Sequence, residues 1–335
     1  MKAIAPGKLI LSGEHAVVYG APAVAMAIDR SAQAVVMPHD ADGVSFDLQN
    51  FDYNGSFTLR ALRDLRLRVG DNYRLFREGR LGIRDVILKP VDLFQYAFIL
   101  FLDGLHLTLE HGLKVQLFSN IPIGCGMGSS AATVLSELRA IGHYFRVDFR
   151  PDWHYRYSLD VENMQHGRAS GVDSYISLHG GCARFQNGEI TRLPLPSGPL
   201  FLVQTGTPAT TTGECVVAVE KIFAQSKIWE DFAAVTAEFE VALVHNDFDG
   251  MQRAMRRNHG LLTRIGVVPP RVQSFIAEVE KTGAAAKICG AGAVAGEGAG
   301  IVLVVARKPP VELCKRYGYD IVAVRGEPLG ARIVG

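Results

Sequence analysis

The feature that most restricts the fold is a glycine-rich loop placed between a strand pattern and a helix pattern. Residues Leu113 to Leu117 alternate apolar and polar side chains, which predicts a strand, and the breakers from Ser119 to Pro122 predict its end. From Ser129 to Tyr144 the apolar residues recur at helical spacing. The sequence therefore predicts the order strand, glycine loop, helix.

The loop has the composition of a phosphate site. Gly124, Gly126 and Gly128 lead directly into the predicted helix, and small residues follow them in the run Gly-Ser-Ser-Ala-Ala. Free backbone N–H groups and the positive end of a helix favour an anion, and the Ser129 or Ser130 hydroxyl can cap the helix or reach Mg²⁺. No lysine follows as in a Walker A loop, and the last spacing differs from a dinucleotide fingerprint. A tight turn without a ligand is the alternative.

Two further segments combine charged side chains with glycine. Lys8, Glu14 and His15 lie between Gly7 and Gly20 and either face a polar ligand or belong to a solvent-exposed hairpin. Glu162 and Asp173 flank a glycine-containing break after a predicted helix over 153–166. Close to a phosphate site, one carboxylate would hold a metal and the other would orient a hydroxyl. Otherwise both are ordinary solvated acids.

The second half of the chain has a different pattern. A strand is predicted from Leu200 to Thr205, followed by helices around 216–225, 229–245 and 251–265. Residues 287–300 are dense in glycine and alanine and either pack against another loop or a ligand, or form a flexible loop. We expect an N-terminal domain over 1–195 and a C-terminal domain over 196–335.

Charge and hydropathy restrict the partners. Lys and Arg (35) nearly balance Asp and Glu (34), so no broad field attracts nucleic acid or anionic lipid. The apolar stretch 93–107 is too short and too polar to span a bilayer, and the N-terminus lacks a signal-peptide core. We expect a cytoplasmic protein with a small-molecule partner, no nucleic acid and no membrane. The five scattered cysteines are expected to be buried, reduced thiols.

Taken in this order, the segments resemble the motifs of the GHMP kinases. The run Pro-x-Gly-x-Gly-x-Gly-Ser-Ser-Ala-Ala at 122–132 is similar to the ATP loop of that family almost position for position, with Met127 where leucine is common. The Pro-Gly-Lys opening and the run Gly-Glu-His-Ala-Val-Val-Tyr-Gly at 13–20 are most similar to the members that phosphorylate mevalonate. The resemblance covers essentially the whole chain.

This resemblance implies a fold and an activity. The fold would be α+β, a two-domain GHMP kinase fold with the active site in the cleft between an N-terminal α/β domain and a C-terminal α+β domain. The activity would be ATP-dependent phosphorylation of the primary hydroxyl of mevalonate, giving 5-phosphomevalonate and ADP. ATP and Mg²⁺ would be the cofactors, and a homodimer is common among such members.

The resemblance also implies roles for individual residues. Ser130 and Glu162 would bind Mg²⁺, and Asp173, with Lys8 beside it, would accept or orient the proton of the substrate hydroxyl. The ATP contacts would be Gly124, Gly126, Met127, Gly128, Ser129, Ser130 and Ala131. The acceptor side would include Glu14, His15 and Thr211.

Some positions depart from the family pattern. Ala169 stands where proline is common and Ser174 where asparagine is common, and Gly290-Ala291-Gly292 continues as Ala-Val-Ala-Gly-Glu-Gly instead of further glycines. The arginine-rich segment 51–89 matches no family pattern. A kinase of phosphomevalonate, a sugar or another hydroxy acid, a nucleotide or ligand sensor without turnover, and a decarboxylase of the same fold are the alternatives. The intact Lys8 and Gly-Glu-His opening argue against the decarboxylase.

Overall fold

The structure is a computed structural model that describes residues 1–40 and 42–335. The strands are β1 (Lys2–Ser12), β2 (Ala23–His39), β3 (Val44–Leu48), β4 (Tyr53–Phe57), β5 (Gly112–Ser119), β6 (Cys182–Gln186), β7 (Glu189–Leu193), β8 (Leu200–Gln204), β9 (Ala285–Ile288), β10 (Ile301–Val305), β11 (Asp320–Val324) and β12 (Arg332–Val334). The α-helices are α1 (Leu59–Arg77), α2 (Pro90–Gly104), α3 (Ser129–Tyr144), α4 (Pro151–His166), α5 (Val172–His179), α6 (Thr212–Phe223), α7 (Ile228–Val244), α8 (Phe248–Arg264), α9 (Pro270–Lys281) and α10 (Val311–Tyr317). Short 3₁₀ turns lie at Ala16–Tyr19, Gln49–Phe51 and Ile83–Asp85.

The first sheet contains the N-terminal strands and the last strand of the chain. Its order is β12-β1-β2-β5-β3-β4, with β6 paired to β2 and β7 paired to β6. β3 is parallel to β5, whereas β1 is antiparallel to β2 and β12. Lys2 pairs with Val334, so the end of the chain returns to the edge of the first sheet. The expected division at residue 195 falls in the connection between β7 and β8 and stays a prediction.

The second sheet is antiparallel and is covered by the C-terminal helices. Its order is β11-β8-β10-β9, and α8 and α9 both pack against β9. β10 is buried along its whole length, because it lies in the interior of the sheet and carries only Ile, Val and Leu. Separate helices and mixed sheets confirm the predicted α+β class.

A continuous apolar core joins the two sheets. Leu9 and Leu11 of β1 belong to the same buried cluster as Phe239 of α7 and Val302 of β10. A second cluster fills the space between the first sheet and α1 to α3, where the rings of Phe46 and Phe98 meet edge to face at 5.7 Å. Burial of apolar surface is the main stabilising term in folding, so the shared core fixes how the two sheets are placed. The shared core therefore also fixes the position of the segments that connect the two sheets.

The helix predictions agree closely with the structure in the centre of the chain. The helix predicted from Ser129 to Tyr144 is confirmed at both ends, and the helix predicted over 153–166 begins two residues earlier, at Pro151. The apolar stretch 93–107 lies largely within α2, a buried core helix. Within 1–40 and 42–335, no helix is long and apolar enough to cross a membrane. The five cysteines are free thiols and buried, as predicted.

Candidate active site

The glycine loop presents the N-terminus of α3 without a side-chain cap. Gly124, Gly126 and Gly128 have φ values of 72°, 73° and 69°, in the left-handed region where glycine is least strained. Gly128 is the N-cap residue, and among the residues that the structure describes no side chain caps the first N–H groups of the helix. These N–H groups and the positive helix end can therefore bind an anion.

Lys8 and Asp173 form an ion pair next to this loop. Lys8 Nζ lies 3.0 Å from Asp173 Oδ1, and the side chains are 5% and 32% exposed. The Lys8 N–H donates to the Met127 carbonyl at 2.9 Å, which fastens β1 to the loop. Asp173 lies in the first turn of α5. The ammonium group is thus buried, while the carboxylate is accessible to a ligand.

The loop also approaches the ion pair directly. A Cβ atom placed on Gly128 would lie 3.0 Å from Lys8 Cγ and 3.5 Å from Asp173 Oδ2. A side chain at this position would crowd the pair as well as strain the backbone, because the φ of Gly128 is positive. The structure therefore brings together the glycine loop, the lysine and the aspartate that the sequence singled out.

Glu162 and Ser130 provide oxygen atoms suited to a hard cation. Glu162 Oε1 is buried and has no hydrogen-bond partner among the described residues, and Oε2 lies 3.6 Å from His166 Nε2. Burial raises the pKa of the Glu162 carboxyl, and among the opposing effects are His166 and a hydrogen bond from Ser130. An unpartnered buried carboxylate oxygen is costly unless it binds a ligand. Mg²⁺ fits, because it uses one or two protein oxygens together with substrate phosphates.

Binding of Mg²⁺ does not require that all of its ligands are protein side chains. In the described part of the chain, no group of three or more His, Cys, Asp and Glu residues is arranged to hold a metal ion. Mg²⁺ retains water and nucleotide oxygens and binds few protein ligands, so Glu162 and Ser130 are a reasonable protein contribution.

Glu14 points into the protein and forms a buried ion pair. Its carboxylate accepts from Lys287 Nζ and, at 3.3 Å, from Asn258 Nδ2. Lys287 also donates to the carbonyls of Ile10 and Ile288 at 3.0 and 3.1 Å, and the side chains of the ion pair are 0% and 1% exposed. The pair links the end of β1 to β9. Contact between Glu14 and a substrate stays a prediction.

His15 is held in one tautomer by the last glycine segment. Its Nε2 lies 2.9 Å from the Ala291 carbonyl, and a carbonyl can only accept, so Nε2 carries the hydrogen. Burial lowers the pKa of His15 below its usual value, and the ring is therefore neutral near pH 7. Nδ1 is left as an acceptor, which suits a hydroxyl donor.

The last glycine segment packs against the glycine loop 124–128. A Cβ atom on Gly126 would lie 3.0 Å from Gly290 Cα, so only glycine permits this approach of the two backbones. The unusual Glu297 forms an exposed ion pair with Arg271 at 2.8 Å. Of the two alternatives for 287–300, the structure shows loop packing, with the extra charge directed to solvent.

Thr211 caps α6 and contacts the arginine-rich segment. Its hydroxyl accepts from the Glu214 N–H, and Glu214 bonds back to the Thr211 N–H in a capping box. Arg84 Nη2 donates to Glu214 Oε1 at 2.7 Å and to Thr211 Oγ1 at 3.4 Å. The predicted role of Thr211 on the acceptor side stays a prediction.

Local sequence patterns indicate no role for Lys287, Asn258 or Arg84. Lys287 had a usable signal, because a single lysine inside the apolar strand β9 needs a buried acidic partner. The partner itself, Glu14, lies 273 positions away in the chain and only the fold identifies it.

Comparisons with known proteins agree with this architecture. The family model described as GHMP kinases N terminal domain matches residues 92–181, and the one described as GHMP kinases C terminal matches residues 239–296. A mevalonate kinase of Thermococcus sibiricus is 29% identical over 309 residues, covering 87% of this chain and 86% of its own. The crystal structure of the Methanococcus jannaschii mevalonate kinase superposes with a TM-score of 0.82 at 24% identity, covering 98% of both chains. The L. major mevalonate kinase in complex with R-mevalonate has a TM-score of 0.71 at 23% identity, covering 98% of this chain and 97% of its own.

Proposed function

The chain carries the N-terminal and C-terminal domains of the GHMP kinases, and from this premise we propose that it transfers the γ-phosphoryl group of ATP to the primary hydroxyl of mevalonate. The products would be 5-phosphomevalonate and ADP. The observation that carries this proposal is the Lys8–Asp173 ion pair set against the glycine loop at the start of α3. Mevalonate as the acceptor is supported by relatives named mevalonate kinase, which align over most of the chain.

The glycine loop would bind the phosphates of ATP. Its residues Gly124 to Ser130 expose backbone N–H groups at an uncapped helix end, where negative charge is stabilised. Met127 and Ala131 are buried and hold the loop and the first helical turn in place. Phosphoryl transfer depends on alignment and charge neutralisation more than on a strong base, so a rigid loop contributes directly to the rate.

Asp173 and Lys8 would act on the acceptor hydroxyl. Asp173 is accessible and would accept the hydrogen bond of the hydroxyl, which aims the oxygen at the γ-phosphorus atom. Lys8 is buried and fixed by β1, so its ammonium group would stabilise the negative charge that develops on the oxygen atoms. The ion pair holds both groups in place before the reaction begins.

Glu162 and Ser130 would hold Mg²⁺. Glu162 Oε1 of α4, which has no partner among the described residues, and the neighbouring Ser130 hydroxyl at the start of α3 are hard oxygen donors. When bound, Mg²⁺ would neutralise charge on the nucleotide phosphates.

His15 would position the acceptor through the free Nδ1 atom. The Nε2–H bond to Ala291 fixes the ring, so Nδ1 can accept from a hydroxyl of the substrate. Glu14 would act indirectly, by fastening this segment to Lys287. The expected homodimer and cytoplasmic location stay predictions.

Asp173→Asn tests the proposed chemistry. The substitution keeps the shape of the side chain and removes its charge, so ATP binding measured by calorimetry should remain and ADP formation with mevalonate should fall by roughly two orders of magnitude or more. Asp148→Asn is the matched control and should keep wild-type turnover, because Asp148 is exposed and follows the C-terminal end of α3, at the far end of that helix from the glycine loop. Normal turnover in Asp173→Asn would remove Asp173 from the mechanism.

A further inference from the structure

The 3₁₀ turn Ile83–Asp85 packs on the segment between Glu162, the proposed magnesium ligand, and Asp173, the proposed hydroxyl-binding residue. A Cβ atom on Gly167 would lie 3.6 Å from Ile83 Cδ1 and 2.7 Å from the ring of Phe76. The Tyr73 hydroxyl donates to the Gly167 carbonyl at 2.8 Å. Gly167 lies between Glu162 and Asp173 in the chain. The end of the arginine-rich segment is thus part of one wall of the site.

Arg84 reaches from this turn to a second wall, which consists of the start of α6 and the loop before it. Its Nη2 atom donates to Glu214 and Thr211 at the start of α6. The loop before Thr211 borders the phosphate loop, because Pro208 Cγ lies 3.5 Å, and Cys125 Cα 3.4 Å, from the position of a Cβ atom on Gly300. Arg84 therefore connects the turn that packs on the segment between Glu162 and Asp173 with the start of α6, whose preceding loop approaches Cys125 of the glycine loop.

The surroundings of Arg84 match a carboxylate ligand. A guanidinium group has five N–H donors in a planar fork, and in the described residues only Nη2 of Arg84 donates. Its present partner is already a carboxylate, Glu214, and the two side chains are 66% and 50% exposed. Exposed ion pairs are weak, so a second carboxylate can join or replace Glu214 at small cost.

From this geometry we infer that Arg84 binds the carboxylate of the acceptor and selects acidic over neutral alcohols. The inference rests on the proposed function, since it assigns a residue to the acid group of the same acceptor. It also gives a role to the arginine-rich segment, which matches no pattern in the family motifs. The hydroxyl end of the acceptor lies at Asp173 and the acid end at the wall formed by Arg84.

Steady-state kinetics with mevalonate test this assignment. Arg84→Met should raise KM for mevalonate by about 10- to 100-fold, the usual strength of a charge-assisted hydrogen bond, and leave KM for Mg-ATP unchanged. The uncharged amide of mevalonate should show the same KM with wild type and Arg84→Met. Arg80→Met is the matched control, because Arg80 forms a comparable exposed pair with Glu78 at 3.1 Å, and its KM should equal that of wild type.

Glu214→Gln distinguishes substrate binding by Arg84 from a purely structural role of the Arg84–Glu214 ion pair. Glutamine preserves the capping box, so α6 should stay intact while Arg84 loses its competing carboxylate. The inference predicts an equal or lower KM for mevalonate in this variant. A raised KM for mevalonate, equal to that of Arg84→Met, would show that the ion pair only holds the Ile83–Asp85 turn against the start of α6. That result would overturn the inference.

Two further results are decisive. Arg168 is exposed and follows Gly167 in the first wall. A raised KM for mevalonate in Arg168→Met, with no change in Arg84→Met, would assign the acid group to Arg168. That result would overturn this inference and leave the proposed function intact. A folded wild-type protein that does not turn over mevalonate would overturn the proposed function, and this inference with it.

Discussion

Replacing Lys287 by methionine should strongly destabilise the protein. The ammonium group of Lys287 donates to Glu14 and to the carbonyls of Ile10 and Ile288, which satisfies its three N–H groups. Lys287 and Glu14 are 0% and 1% exposed, so water cannot replace the lost partner. Removing one member of a buried pair leaves an uncompensated charge and typically costs about 3–5 kcal/mol.

Urea unfolding measures this cost. Lys287→Met should lower the free energy of unfolding by about 3–5 kcal/mol, whereas Lys315→Met should change it by less than about 0.5 kcal/mol. Lys315 is a fair control, because it pairs with Glu312 at 2.9 Å on the surface. The double variant Glu14→Gln, Lys287→Met contains no buried charge at this site and should be more stable than Lys287→Met alone.

The double variant also tests whether Glu14 and Lys287 are coupled. If the losses of Glu14→Gln and Lys287→Met, each measured alone, simply add in the double variant, or if Lys287→Met loses less than about 1 kcal/mol, Glu14 and Lys287 are not coupled as the structure indicates. Because the pair joins the Gly-Glu-His segment to β9, a confirmed loss should be accompanied by lower turnover.

Three further predictions concern the site and its pH dependence. Lys8→Met should lower kcat by about 10²- to 10³-fold with little change in KM for ATP, because its charge acts mainly in the transition state; an unchanged kcat would contradict this. Ser130→Ala should raise the Mg²⁺ concentration needed for half-maximal ADP formation, and an unchanged Mg²⁺ titration would remove Ser130 from the metal site. Burial lowers the pKa of His259 from 6.5 to about 4, so the unfolded chain binds more protons between these values and stability falls as the pH is lowered. This contributes a loss of up to about 2 kcal/mol near pH 5. In urea unfolding, His259→Gln should lose less stability than wild type on acidification, and an equal loss would exclude His259 as the source.

Local patterns predicted the glycine loop and the start of α3, because the residues that determine their conformation are adjacent in the chain. Glycines with positive φ followed at once by helix-forming residues allow few conformations, so Ser129 was predicted as the start of α3 from the sequence alone. The amphipathic helix α1 was not predicted, since its many arginines obscure an apolar stripe formed by Leu62, Leu65 and Val69.

Long-range pairing could not be read from local patterns. Glu14 is predicted from the sequence to face a substrate. Nothing in the surrounding residues 7–20 indicates that Lys287 approaches it from β9. The return of β12 to β1 is equally invisible, because a three-residue strand has no periodicity of its own. Arg84 and Thr211 meet only through the placement of both walls of the site.

The most direct measurement is ADP release by the purified protein with Mg-ATP and a panel of acceptors, with each product identified by mass. The panel should contain mevalonate, phosphomevalonate, galactose, homoserine and a sample without acceptor. If the chain phosphorylates mevalonate, ADP should form with mevalonate in equal amount to a product heavier by one phosphoryl group, and the other samples should give no more than background. Turnover of another acceptor in place of mevalonate, or ATP binding without any phosphorylated product, would contradict the proposed function.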